Sequence, residues 1–223
     1  MSVVAVAQPP TRPRLRGWLH YWSFYVSMAA GATLIAFAAT TVSGLAALAT
    51  SVYVATVLGL FGVSALYHRH TWRDPRARVW MKRLDHSMIF LFIAGTYTPV
   101  SLLAMDRPTG YVVLAVVWGG AVAGVALKLL WPHAPRWLGV PIYIALGYVA
   151  VFVLPQLLHH AGLAAVVLLL VGGLLYTIGA VFYATRWPNP WPTTWGHHEF
   201  FHAATVLAAG CHYIAIWFAL YSS

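Results

Sequence analysis

The chain has 223 residues, of which 61% are apolar and only 8% charged, with a formal net charge of +9. A soluble globular domain carries about a quarter charged residues, so this composition excludes a water-facing surface and points to one that faces lipid. The basic residues lie between apolar runs rather than in one patch, which argues against a nucleic-acid partner and for anionic headgroups and membrane topology. The single cysteine, Cys211, implies no internal disulfide and no oxidising compartment.

In chain order, residues 1–20 form a basic segment in which arginines follow a short apolar stretch and precede the first long one. A cleavable signal has the reverse order, so none is expected. Residues 21–223 read as one membrane domain. Spans of about 20 apolar residues cross a bilayer as helices, and seven are expected, at residues 21–42, 45–67, 84–103, 111–130, 138–154, 161–184 and 198–220. The break between the first two, TTVSG, is the weakest. The predicted fold class is an all-α seven-helix bundle in the cell membrane, as in a bacterial plasma membrane.

The basic residues orient that bundle. With the N-terminus inside, twelve of the thirteen lysines and arginines fall on inner segments, leaving Arg107 alone outside. So one-sided a distribution obeys the positive-inside rule and places the C-terminus outside. Most tryptophans, among them Trp18, Trp22, Trp187, Trp191 and Trp195, flank the same inner ends.

Ionisable groups at helix depth are costly and usually functional. His68 ends the second helix, Asp85 begins the third, and His198 and His202 begin the seventh, so three helices bring them to one depth in the inner leaflet. An i, i+4 pair is about 40° apart around the helix and about 6 Å along it, a spacing at which His198 and His202 can chelate one ion. His68 would complete a three-imidazole zinc site with a fourth position open for water. Asp85 would offset the ion's charge and orient that water. Ser64, one turn before His68, can hydrogen-bond a ligand, water or substrate oxygen.

Each residue also has a plainer reading. Ser64 alone is polar glue between helices. Asp85 beside Arg83 is an ion pair or a helix cap. His20, His70, His86, His133, His159, His160 and His197 are read as interfacial polar residues, and His212 as a buried hydrogen-bonding one.

Ser64-x-x-x-His68, Asp85, AGTYTP from Ala94 to Pro99, and HEFFH from His198 to His202 resemble the hemolysin III family. That family belongs to the progestin and adipoQ receptor superfamily, which includes the adiponectin receptors. The resemblance covers essentially the whole chain. It implies seven helices and zinc at the inner side on His68, His198 and His202, with Ser64 and Asp85 beside it. Its implied activities diverge: cytolysis by name, receptor function and ceramidase-like hydrolysis among relatives.

The expected function is therefore zinc-dependent hydrolysis of a membrane-lipid amide or ester, with Asp85 and Ser64 catalytic. The alternative is a pore-forming or membrane-homeostasis protein in which zinc is structural. HEFFH also fits the H-E-x-x-H pattern of metalloproteases, in which Glu199 would be general base. Haem is a third reading, requiring His68 opposite one histidine of the last helix.

Overall fold

In a bilayer core without water, every backbone N–H and C=O must bond within the chain, so an apolar span becomes a helix. The computed structural model describes residues 12–131 and 135–222, and these are helical apart from loops and one isolated bridge between Trp191 and Trp195. Helix α1 (Trp18–Phe37) runs through a π-helical turn at Ala38–Val42 towards α2 (Gly44–Arg69). Then come α3 (Pro75–Leu103), α4 (Arg107–Leu130), α5 (Arg136–Gly147), a 3-10 turn at Tyr148–Val153, α6 (Leu154–Thr185) and α7 (His197–Tyr221). Among the described residues six helical stretches are long and apolar enough to cross a membrane, one of them Leu138–Thr185. The chain is a multi-pass membrane protein.

The expected break at TTVSG is present and has a clear cause. The π turn closes with Ser43 N–H donating to Ala38 O at 3.0 Å, and extended Ser43 caps α2 by accepting from Ala46 N–H at 3.1 Å. Helix α3 differs from expectation, beginning at Pro75 rather than residue 84. Asp74 caps it, accepting from Arg76 N–H at 2.9 Å, and Pro75 fits the first turn, where no N–H is needed. Counting apolar residues finds only the part of a helix inside hydrocarbon, and the first turns of α3 carry Arg76, Arg78, Lys82 and Arg83.

Helix α3 is the hub, packed on α2, α4, α5 and α7. Lipid supplies no hydrophobic drive between helices, so close approach through small residues holds them together. Gly95 faces Thr56 of α2 so closely that an added Cβ would overlap the threonine side chain. The rest of AGTYTP is also spoken for. The Tyr97 hydroxyl donates to Gly147 O at 2.6 Å and accepts from Ala150 N–H at 2.7 Å, satisfying backbone groups where α5 gives way to the 3-10 turn. Thr98 accepts from the Trp118 indole of α4 at 3.2 Å.

The stretch from α5 to α6 connects both ends of the bundle. Near its start, Gly139 lies under the Lys128 ammonium at the end of α4. Further on, Gln156 donates to Thr109 at 3.0 Å, and His160 lies 3.4 Å from Asp106, at the opposite end of α4. Gly162, with φ 80° and ψ 171°, then interrupts α6 in a conformation natural to glycine. Beyond it the chain returns: Tyr148 pairs with Thr177 at 3.2 Å, and Tyr183 reaches His86 of α3.

Overpacking the α2–α3 contact should be costly. Gly95→Val is expected to destabilise the detergent-solubilised protein by about 1–3 kcal/mol, seen as a lower midpoint in scanning fluorimetry. Gly210→Ala, where a Cβ meets open space, should leave the midpoint unchanged or slightly higher. Equal behaviour of the two variants would remove Gly95 as a packing determinant.

Candidate metal centre

The site forms where the end of α2 meets the start of α7. Ser64 and His68 share a face of α2 and are buried. The start of α7 is held by Glu199, whose carboxylate accepts from Gly196 N–H at 2.9 Å and also pairs with the Arg16 guanidinium. Arg16 belongs to an N-terminal strap: Arg14 N–H donates to Thr193 O at 2.9 Å and Leu15 N–H to Thr194 O at 3.2 Å. Gly17 then turns with φ 80° against His68, where a side chain would collide. These contacts set the depth and rotation of His198 and His202.

His198 Nε2 lies 3.1 Å from His68 Nε2, and one ring nitrogen from each of His68, His198 and His202 lies within 4.8 Å of the others. Two nitrogens on one tetrahedral zinc at about 2.0–2.1 Å would be about 3.3–3.4 Å apart. The first distance alone also serves an N–H···N bond between neutral rings. The convergence of a third buried imidazole is what a ligand set needs and a hydrogen-bonded pair does not. Donor chemistry and spacing therefore fit zinc, with the three histidines that the sequence singles out.

Asp85 is not at a helix start: α3 begins about three turns earlier, and its cap is Asp74. The Asp85 carboxylate instead faces the histidines, 3.9 Å from His68 Nε2 and 3.5 Å from His86 Nδ1, and accepts from the Ser64 hydroxyl. No ion pair joins it to Arg83, whose guanidinium lies over Trp80. Ser64 thus reaches the cluster through Asp85.

Two histidines read as interfacial belong to the site's surroundings. His20 is 2% exposed, lies flat on His202 with ring centroids 3.8 Å apart, and neither of its nitrogens makes a well-formed hydrogen bond among the described residues. It was missed because the apolar run was read from residue 21, whereas α1 begins at Trp18. His86 bonds the Lys82 carbonyl at 2.8 Å and the Tyr183 hydroxyl at 3.2 Å, and Tyr183 sets its edge against His198. Its adjacency to Asp85 was the available signal. His212, expected to be buried, is half-buried, its Nε2 3.3 Å from Leu169 O. His133 lies outside the described residues.

Glu199, the general base of the metalloprotease reading, instead has one carboxylate oxygen on Gly196 N–H and the other paired with Arg16, so it anchors the start of α7. From the histidines a cavity of about 1010 Å³ extends between α3, α5 and α6, past Ile93, Tyr97 and Tyr143 to Leu157 and Leu169. Its walls away from the site are largely apolar.

Residues 9–213 match the family described as Haemolysin-III related. Hemolysin-3 of Bacillus cereus is 33% identical over 138 residues, 62% of each chain, so this match spans somewhat under two thirds of that protein. The Hemolysin-3 homolog of Bacillus subtilis (strain 168) is 27% identical over 83% of each chain. More distant is the Heptahelical transmembrane protein ADIPOR2 of Oryza sativa subsp. japonica, 28% identical over 74% of this chain and 79% of its own. A helical membrane bundle with its polar cluster at one end, matched over nearly its whole length, places this chain in the haemolysin-III related family.

Proposed function

We propose that the chain is a seven-pass membrane hydrolase of lipid amide or ester bonds, built on a zinc ion held by His68, His198 and His202 at the cytoplasmic end of the bundle. The observation that carries the reading is the juxtaposition of three converging imidazoles, one buried carboxylate and a long apolar cavity.

Length supports seven passes. A straight helix over the 48 residues of Leu138–Thr185 would run about 72 Å, more than twice a hydrocarbon core of about 30 Å. The break at Gly162 and the pairing of Tyr148 with Thr177 support two passes there. A relative's name, "Heptahelical", states the same count for that protein. The distribution of basic residues supports a cytosolic N-terminus and site.

Zinc bound here would polarise a carbonyl and make water a nucleophile near neutral pH. The chain's own residues do the rest. The Asp85 carboxylate accepts the proton of the attacking water and returns it to the leaving amine or alcohol. Ser64 holds that carboxylate by a hydrogen bond, and His86 flanks it, its Nδ1 3.5 Å away and bonded to the Lys82 carbonyl. The apolar cavity takes the acyl chain and excludes bulk water. The His20 ring lies flat on His202 and braces it.

A second reading keeps the metal and drops the chemistry. The three histidines come only from α2 and α7, which otherwise make little contact with each other. A metal there would staple the two helices in a non-enzymatic membrane protein.

Metal analysis tests the common ground: about one zinc per wild-type chain is expected, with loss from His68→Ala and His202→Ala. Asp85→Asn separates the readings. It should retain the metal yet lower turnover of labelled ceramides or phospholipids by about 10²-fold or more. Turnover that survives Asp85→Asn excludes this mechanism. A wild type with zinc and no turnover, in which His68→Ala only lowers the unfolding temperature, establishes the staple.

A further inference from the structure

We infer that the cavity selects an amphiphile with an anionic headgroup, its apolar chain between α3, α5 and α6 and its phosphate or carboxylate at a cationic mouth. This rests on the cavity being the substrate site proposed above, but not on any metal being bound.

The cavity's polar end is lined by Arg12, Arg16, Arg78, Lys82, Arg83 and Lys128, drawn from the N-terminal strap, α3 and α4. Carboxylates do not balance them. Arg16 is taken by Glu199. Asp74 caps α3 and Asp106 lies at the far end beside His160. Among the described residues only Asp85 faces the same space, held by Ser64 and flanked by His68 and His86. No ion pair with a carboxylate forms at Arg12, Arg78, Lys82, Arg83 or Lys128 among the described residues, and the Arg83 Nε is buried without a hydrogen-bonding partner.

Topology alone accounts for basic residues on this side of the membrane, but not for their lining a cavity. A cation serving only orientation or the leaflet surface would do so equally well on the outer rim, as Arg73 and Arg76 do. Lys128 shows the difference: its half-buried ammonium reaches across to α5, and the missing side chain of Gly139 makes the room. Arg12 is exposed but crowded by like charge, its pKa held below the ordinary arginine value by partial burial and by the neighbouring Arg69 and Arg16. Gathering like charges round one cavity without counter-ions, with Arg83 and Lys128 half-buried among them, is costly, and one anion at the mouth relieves several of them at once. Guanidinium groups suit planar, bidentate recognition of phosphate and carboxylate.

The test uses purified protein in dodecyl maltoside, with binding read as thermal stabilisation. Dodecyl phosphate should act at a concentration about ten-fold lower than dodecylphosphocholine, which has the same chain and a phosphate whose charge is compensated. The preference should shrink as salt rises and survive chelation of metal. Arg78→Gln with Lys128→Gln should reduce it to about two-fold or less, with Arg12→Gln as a milder variant should the pair not fold. Arg73→Gln with Arg76→Gln removes the same charge outside the cavity and should leave it intact. Equal action of the two amphiphiles, an equal loss in both double variants, or inorganic phosphate matching dodecyl phosphate would each overturn the inference. Absence of hydrolysis would not, because binding is measured without turnover.

Discussion

The anchoring of the start of α7 is the constraint on which the rest depends. Glu199 is 2% exposed, and a carboxylate so placed is tolerable only when fully engaged. It is engaged twice, by the backbone N–H of Gly196 and by the guanidinium of Arg16. The first bond starts the helix at His197, and the second ties it to the N-terminal strap. Because His198 and His202 flank Glu199 on the same turn and the next, fixing the carboxylate fixes both imidazoles. A pattern resembling a protease motif is thus, in this fold, an anchoring device.

The same economy of polar groups runs through the bundle. Many polar side chains in the spans close onto their own helix, as Thr50, Thr96 and Thr205 do through carbonyls one turn back, or meet a specific partner. Tyr97 bonds the α5 boundary, Trp118 bonds Thr98, and Tyr213 donates to Ala30 O at 3.0 Å. Others, among them Ser87, Ser101 and Tyr176, keep a buried hydroxyl without a hydrogen-bonding partner among the described residues. His20, stacked on a candidate ligand, makes no well-formed hydrogen bond at either nitrogen among the described residues.

The charge arrangement joins fold to chemistry. Basic residues gather at one end of the bundle, and the packing of α3 and α4 turns some of them inward. One cavity then holds converging imidazoles, a carboxylate and a cationic mouth at its polar end, and apolar walls beyond. A lipid lying with its headgroup at the interface presents its amide or ester carbonyl at about that depth. The reading as a lipid hydrolase and the inferred headgroup preference both derive from this depth.

Composition and hydropathy determined on their own that the chain is helical and membrane-embedded, because hydrocarbon imposes the same demand on every backbone group. Topology and spacing likewise determined that His68, His198 and His202 share a depth, since helix direction and an i, i+4 repeat are one-dimensional facts. Rotation about each helix axis was beyond that reach. Only tertiary packing decided that Glu199 turns to Arg16, that Asp85 lies well inside α3 and faces Ser64 and the histidines, and that His20 lies flat on His202. The same packing decided which cations line the cavity and which stay on the rim. Facing is set by contacts between distant helices, through close approaches such as Gly95 to Thr56, and a linear pattern of apolar residues carries no record of them.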